Sequence, residues 1–371
     1  MPKNRLRIAL GSLCLAAALA CGCELALGTG LGAGRFRAME NPFRLPLDAE
    51  GWTVFRPSAD TRIAYVSAAS GDDSSAAAYL AGDPAVGGDP FRPSASAKSF
   101  KTYEAARLAV RKGCPDWILF RRGETYEYMR IVPVSGRSAS EPSLTGSYGE
   151  GRTPILIPVE GSTLVFAGGG SSASFFAVKD LELYARDRDP RVVGTVIGSN
   201  PAGIDATVGG ELRCALFEGL KISCFAGNIV QAYDGGIVEE VVFRRCVFLD
   251  QFSRGPAYGH SSGLYSAGVK GFLLEECVFD HNGWYSPSDG NDAVGLTGEA
   301  TMFNHSTYFA GCADVAFRNS IFLRSASIQN KFTANDGPAS SSRLSVEGNL
   351  YVDGEIGISM GGNEDDPHRF K

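Results

Sequence analysis

An eight-residue pattern of apolar and polar positions recurs six times between residues 176 and 351. Its third residue is Val, Phe or Leu, its last is Leu, Ile, Phe or Tyr, and its fourth and fifth are mostly charged, small or Asn. The copies are FAVKDLEL (176–183), ALFEGLKI (215–222), VVFRRCVF (241–248), FLLEECVF (272–279), VAFRNSIF (315–322) and LSVEGNLY (344–351). Each copy is called an octet below, and its residues occupy places one to eight.

The spacing within an octet predicts a strand that bends and continues. Places one and three, like places six and eight, are two apart, which is the period of a β-strand, and the step from place three to place six adds one residue at a corner. With these four places directed inward, the unequal intervals between octets predict successive coils of a solenoid with loops of variable length. Phe243, Leu274, Phe317 and Val346 should then form one interior column.

Place six should form an interior ladder, since neighbouring parallel strands lie about 4.8 Å apart. Cys246 and Cys277 are adjacent in this ladder, either as stacked free thiols or as a disulfide. Before the repeat, SFKTYEAARLAVRKGCP (99–115) predicts a capping helix over about 102–113, with Thr102 as N-cap and Gly113 as its end. Such a helix would cover the open edge of the first coil. The coils are expected over about 116–360.

The chain here resembles a known group of proteins. The segments YVSAASGDD (65–73), FKTYEAARLAV (100–110), DWILFRRGETYE (116–127) and YGEGRTPILI (148–157) look like the opening of proteins of the pectate lyase-like superfamily. The resemblance covers about 61–371 and implies an all-β, right-handed parallel β-helix. Because this superfamily includes polysaccharide lyases, epimerases, glycoside hydrolases and non-catalytic adhesins, activity has to be argued from the site.

Composition and the N-terminus narrow the class of protein. The 371 residues are 44% hydrophobic and 20% charged, with a net charge of -6, which is typical of a soluble globular chain without a nucleic-acid footprint. Residues 1–20 predict a signal peptide and not a membrane anchor, because their apolar run is shorter than the ~20 residues of a membrane span. We expect a secreted or periplasmic monomer, or one anchored by lipid at Cys21 or Cys23. Residues 21–60 would lead into the domain at 61–371.

Three of the four histidines fall between residues 260 and 305, in predicted loops, so none is expected to be a buried core residue. HNGWY (281–285) and FNHSTYF (303–309) resemble paired segments of a group of exported bacterial β-helix proteins. Gln231 and Lys331 each lie nine places beyond an octet, which predicts equivalent positions on one side of the solenoid. The predicted substrate-binding residues are His281, Asn282, Trp284, Asn304, Arg324, Gln329, Gln231 and His260.

The expected partner is an acidic polysaccharide cleaved by β-elimination. This reaction needs a cation for the substrate carboxylate, a base for the C5 proton and an acid for the leaving oxygen. The resemblance to lyases implies this division of labour. Lys331 or Arg324 could be the cation, His305 or Lys331 the base and Tyr308 the acid.

Three alternatives stay open. A hydrolase would need paired carboxylates, for which Asp250 and Asp280 occupy places that differ by one. A Ca²⁺ ion, the one candidate cofactor, could bind Asp289 and Asp292 or the GDDSS stretch (71–75). The protein could also be a non-catalytic glycan-binding or surface structural β-helix.

Overall fold

A computed structural model describes residues 39–158, 163–165, 172–189, 191–192, 201–252, 261–285, 299–300, 304–333 and 343–361. Within these ranges the chain forms three sheets of parallel strands, and each sheet takes strands from successive coils. An antiparallel neighbour at the start of the first sheet is an exception to the parallel pairing. Among the helices of the described residues, none has the length and hydrophobicity of a membrane-spanning segment.

The first sheet contains the first half of every octet. Among the described residues it has, in spatial order, β2 (Tyr79–Leu80), β1 (Arg62–Val66), β3 (Trp117–Arg121), β5 (Ser143–Tyr148), β8 (Ala173–Lys179), β11 (Glu211–Glu218), β14 (Ile237–Arg244), β17 (Lys270–Glu275), β22 (Ala313–Arg318) and β25 (Leu344–Glu347).

The second sheet contains the end of every octet, and the third sheet completes each coil. The described strands of the second sheet are β4 (Thr125–Tyr126), β6 (Ile155–Leu156), β9 (Glu182–Tyr184), β12 (Lys221–Ser223), β15 (Val247–Leu249), β18 (Val278–Asp280), β23 (Ile321–Leu323) and β26 (Leu350–Val352). Those of the third are β7 (Leu164–Val165), β10 (Ala202–Val208), β13 (Gly227–Ala232), β16 (Ser262–Ala267), β21 (His305–Ala310), β24 (Ile328–Thr333) and β27 (Ile356–Met360). A short hairpin pairs β19 (Trp284–Tyr285) with β20 (Glu299–Ala300), and a 3-10 turn covers Arg186–Arg188.

The octets stack in register, as predicted. Phe243 pairs with Leu274, Leu274 with Phe317, and Phe317 with Val346, so these residues form one column. The extra residue at the corner is place five, which has a left-handed backbone in all six octets, with φ between 50° and 66°. This conformation turns the chain from the first sheet to the second and returns place six to the interior. The predicted class, an all-β parallel β-helix, is confirmed.

Stacked aromatic and apolar side chains fill the interior. At place eight the rings of Phe248 and Phe279 lie 4.3 Å apart, and those of Phe279 and Phe322 lie 5.1 Å apart. At place six Cys246 donates its backbone N–H to the sulfur of Cys277 at 3.4 Å. All six cysteines of the described chain are free thiols, so the stacked-thiol alternative is the one observed.

The predicted helix is present as α1 (Tyr103–Ala109). The Thr102 hydroxyl accepts from the N–H of Ala105 at 3.2 Å, which agrees with the predicted N-cap. The helix ends before the predicted Gly113 because Arg111 donates its backbone N–H to the Asp116 carboxylate at 2.8 Å. Tyr103 is buried in the core with its ring 6.0 Å from that of Phe120. A capping function for this helix remains a prediction.

Residues 39–56, here named the N-terminal strap, pack on the outer face of the first sheet. Phe43 and Phe55 are buried in one cluster with octet place two, which includes Leu216, Val242 and Leu273. Trp52 lies between two cations, with Lys179 and Arg245 each 4.6 Å from its ring. The first sheet is therefore covered on both faces, which the sequence analysis did not predict.

Place four alternates in charge along the same face: Lys179, Glu218, Arg244, Glu275, Arg318 and Glu347. Glu218 accepts from Lys179 at 3.0 Å and from Arg244 at 2.8 Å, and Arg244 also reaches Glu275 at 2.8 Å. The strap completes this set, since Thr53 donates its hydroxyl to Glu218 at 2.8 Å. The ion pairs therefore join neighbouring coils to the strap.

Candidate functional site

The outer face of the third sheet presents a column of two tyrosines and a lysine. Tyr265 of β16 pairs in register with Tyr308 of β21, which pairs with Lys331 of β24. The two tyrosine rings meet edge to face at 5.4 Å, and the Lys331 ammonium lies 5.2 Å from the centre of the Tyr308 ring. These three residues are named the tyrosine–lysine column.

The alternation of β21 explains why Tyr308 faces outward. Its neighbours Thr307 and Phe309 are buried, and Thr307 accepts from the Asn330 amide in the interior at 2.8 Å. Successive side chains of a strand point to opposite faces, so Tyr308 and Lys331 project from the solenoid and are half-buried. Burial raises the pKa of the Tyr265 phenol. Tyr265 therefore remains protonated and can donate a hydrogen bond.

Lys331 has an uncompensated charge in the described part of the chain. No described carboxylate lies within ion-pair distance of its ammonium group, which faces the Tyr308 ring. By contrast, Arg324 donates two hydrogen bonds to Asp280, at 2.8 and 2.7 Å. Of the two cations predicted to face a substrate carboxylate, Lys331 is thus the one without a competing acid among the residues that the structure describes.

His305 lies beside this column, but it is buried. Its ring stands edge to face with Tyr308 at 5.7 Å, and only 1% of the residue is exposed. His281 is also buried. The expectation that none of the clustered histidines is a buried residue is therefore wrong for both. His305 begins a central strand of the third sheet instead of lying in a loop, and His281 sits at the corner between the second and third sheets.

The predicted equivalence of Gln231 and Lys331 is also wrong. Gln231 pairs with Ala267, whereas Lys331 pairs with Tyr308, which is in register with Tyr265. Gln231 is thus displaced by two residues along its strand, because the stretches between the second and third sheets differ in length. An even displacement keeps the same face. Its amide donates to Thr207 at 3.0 Å.

Three residues predicted to bind substrate form hydrogen bonds within the protein, at the corners of the coils. The Asn282 amide donates to the Phe248 carbonyl at 3.0 Å and its oxygen accepts from the N–H of Gln251 at 3.1 Å. Asn304 donates to the Gly283 carbonyl at 3.2 Å, and Gln329 donates to the Val352 carbonyl at 3.1 Å.

All three of these side chains are fully or almost fully buried. Their polar atoms are bonded inside the protein, and a role of these three residues in binding substrate stays a prediction.

A second polar group occupies the corner before the third sheet. The Nδ1 atom of His281 lies 3.1 Å from Asp250, and its ring stacks on Trp284 at 5.6 Å. Trp284 donates its indole N–H to the Arg324 carbonyl at 2.7 Å. Asp250 is also 3.3 Å from Arg191. The carboxylate considered for a hydrolase is therefore already engaged by two basic side chains.

The calcium hypothesis gains little from the described residues. Asp289 and Asp292 lie outside them, as does His260. In the GDDSS stretch, Asp72 accepts from the hydroxyls of Ser74 and Ser75 at 2.7 and 2.9 Å, so it closes its own turn. No group of three potential metal ligands occurs within the described ranges.

Tyr265 was missed by the sequence analysis, although a signal was present. Tyr265 and Tyr308 each stand seven residues before the octet that follows them. Counting backward from the next octet therefore aligns them, whereas counting forward from the previous octet crosses loops of different length.

These observations define the class of protein as a parallel β-helix with a polar, aromatic outer face on its third sheet. Similar solved structures include a rhamnogalacturonan lyase, which is 13% identical, with 81% of this chain and 66% of that chain covered and a TM-score of 0.42. Pectate lyase Pel9A is 14% identical, with 83% and 80% covered and a TM-score of 0.34.

A GH136 lacto-N-biosidase from Eubacterium ramulus is 14% identical to this chain. The alignment covers 78% of this chain and 67% of that chain, with a TM-score of 0.35. No protein-family model and no curated protein sequence matches the chain. Similarity at this level does not transfer an activity, so the function has to follow from the site.

Proposed function

We propose that this protein is exported, that it binds an acidic polysaccharide along the outer face of the third sheet, and that it cleaves this polymer by β-elimination. The observation that carries the proposal is the tyrosine–lysine column. Two aromatic rings and one lysine, which has no carboxylate partner among the described residues, occupy three consecutive coils of one face. A chain of sugar rings with carboxylates matches such a surface, because its rings can pack on tyrosine and its charge can pair with lysine.

The residues present fit the proton transfers of β-elimination. Lys331 neutralises the uronate carboxylate, which makes the C5 proton easier to remove. A base takes that proton, the electron pair forms the C4=C5 double bond, and the C4–O bond breaks. The Tyr308 hydroxyl gives a proton to the leaving oxygen.

The identity of the base distinguishes two forms of this mechanism. His305, beside Tyr308, is the base if Lys331 is the neutralising cation. If the neutral amine of Lys331 is instead the base, Arg324 has to neutralise the carboxylate in competition with its ion pair to Asp280. The first form is favoured because, within the described ranges, no carboxylate pairs with Lys331. Trp284 and the half-exposed Arg324 would contact neighbouring sugar units.

The decisive experiment follows the ultraviolet absorbance of unsaturated uronates during incubation with a panel of uronans. We expect product from at least one uronan and a loss of turnover of about 10³-fold in Lys331→Ala. Lys331→Arg retains the charge and should keep substantial turnover in the first form, but little in the second.

Lys270→Ala, at an exposed lysine of the first sheet, is the matched control and should behave as the wild type. Full turnover in Lys331→Ala would exclude the proposed site.

The burial of His305 favours one alternative, a non-catalytic glycan-binding β-helix. A base that is 1% exposed has to be uncovered before it can reach a C5 proton. In this alternative His305 positions Tyr308 through their ring contact. Glycan binding that depends on Tyr308 and Lys331, without unsaturated product from any uronan, would support it.

A further inference from the structure

We propose that a basic cleft at the N-terminal end of the solenoid is a second, non-catalytic binding site for the carboxylates of an acidic saccharide. The cleft has a volume of about 850 Å³ and lies where β3 and β5 end against the loop after β2. Its lining includes Ser70, Arg92, Lys98, Arg121, Arg122 and Glu150. It shares no lining residue with the tyrosine–lysine column.

The lining of this cleft has an excess of positive charge. It contains four cations, Arg92, Lys98, Arg121 and Arg122, and two carboxylates, Asp72 and Glu150. The whole chain has a net charge of -6, so this concentration of cations runs against the composition. A concave surface with one dominant sign of charge attracts ligands of the opposite sign.

The two carboxylates offset only part of the charge of the four cations. Hydrogen bonds from Ser74 and then Ser75, with a smaller contribution from the charge of Lys98, lower the pKa of Asp72, so this carboxylate stays ionised. Glu150 lies 3.8 Å from Arg92, and both side chains are largely exposed. An exposed pair at this separation contributes little and can be replaced by a ligand.

Arg92, Lys98 and Arg121 are available to a ligand. Lys98 is exposed and forms no ion pair with any residue that the structure describes. Arg121 is half-exposed and donates to the Ser70 hydroxyl at 3.2 Å. Its ion pair with Glu124 is long, at 3.9 Å. Arg122, by contrast, is 3.5 Å from Asp180 and belongs partly to that pair.

The walls of the cleft are fixed before any ligand binds. Lys98 donates its backbone N–H to the Tyr79 hydroxyl at 2.8 Å. The hydroxyls of Ser99 and Tyr148 lie 3.0 Å apart, and Gly149 donates its N–H to the Phe91 carbonyl at 2.8 Å. These bonds hold the loop after β2 against the end of β5, so the cations need only side-chain motion to reach a ligand.

The chemistry of the lining favours a carboxylated sugar. Guanidinium groups match carboxylates with paired hydrogen bonds, and serine hydroxyls suit the hydroxyls of a sugar ring. The volume is in the range of sites for small ligands. This assignment rests on the proposed function for the identity of the polymer. A second anchor on the same polymer would raise its apparent affinity without a new catalytic group.

The experiment measures binding in a protein whose proposed catalytic face is disabled. Calorimetric titration of Tyr308→Ala/Lys331→Ala with an oligogalacturonate of defined length should show residual binding. Adding Arg92→Gln/Lys98→Gln should raise the dissociation constant about tenfold, equivalent to about 1.4 kcal/mol. Adding Lys112→Gln/Lys270→Gln, which removes the same charge at exposed lysines outside the cleft, should leave it within about twofold.

Other outcomes would overturn the inference. An equal loss of affinity in both pairs of variants would mean that the ligand is attracted by overall charge. An unchanged dissociation constant in the Arg92→Gln/Lys98→Gln protein would mean that the ligand does not bind in the cleft. Equal cleft-dependent binding of a neutral oligosaccharide, or tighter binding of double-stranded DNA, would reject a carboxylated sugar as ligand. The titration measures binding only, and lyase activity is measured separately by the ultraviolet assay. Cleft-dependent binding without unsaturated product in that assay would reject the proposed chemistry but support the cleft as a binding site.

Discussion

The outer faces of the first and third sheets belong to the same coils but differ in what they leave free. On the first sheet, Glu218 and Arg244 are buried under the N-terminal strap and bonded to each other. On the third sheet, Tyr308 and Lys331 are half-buried, and Lys331 has no carboxylate partner among the described residues.

The difference shows that charge alone is a poor guide to a site on a solenoid. The first sheet carries the denser set of charged residues, yet its ion pairs join coils and hold the strap. Paired and buried charges are committed to the fold, because breaking them leaves an uncompensated charge. Lys331, which lies over an aromatic ring and has no ion pair in the described part of the chain, is the better candidate for binding a ligand.

The largest expected effect is a loss of stability when a buried charge of the first sheet is removed. Glu218→Ala leaves Arg244 buried with one partner fewer and removes the acceptor of Thr53. We expect the free energy of unfolding to fall by about 3–5 kcal/mol, measured by urea denaturation.

Glu347→Ala is the matched control, because Glu347 has the same octet place at the exposed end of the series. Its effect should stay within about 0.5 kcal/mol. If both variants lowered the free energy of unfolding equally, burial of Glu218 would not be the cause of its larger expected effect.

A smaller effect is expected from the strap itself. Trp52→Ala removes the ring between Lys179 and Arg245 and should lower the free energy of unfolding by about 2 kcal/mol. Limited proteolysis should then cut first within residues 39–56.

Trp284→Ala, at the far corner, should leave the cleavage rate of the strap unchanged. If Trp52→Ala has no effect on that rate, the buried Phe43 and Phe55 and the hydrogen bond of Thr53 are enough to hold the strap.

The smallest effect is expected on affinity, at the third sheet. Tyr265→Ala should weaken binding of an oligouronate three- to tenfold, or about 0.5–1.5 kcal/mol, with unfolding unchanged. Tyr233→Ala removes an exposed tyrosine just beyond β13 and should not change the affinity. Equal weakening by both variants would remove the distinction between the column and the rest of this surface.

Much of the fold could be predicted from local pattern. The octets fixed the column of Phe243, Leu274 and Phe317 and the corner residue, because a period of two with one added residue allows only one set of inward places. The alternating charges of place four were also visible in the aligned octets, although they were not used. The N-cap at Thr102 was identified from the residue type and its position before the helix.

Tertiary structure alone decided which of these residues stay available. The strap is distant from Glu218 in sequence, so the residues around Glu218 do not predict that Glu218 will be buried. The register of the third sheet depends on loop lengths, which displaced Gln231 from Lys331 and hid the partnership of Tyr265 with Tyr308. Periodicity is a property of neighbouring residues and survives in the sequence. Burial and ion pairing depend on which distant segments meet, and they are settled only when the coils stack.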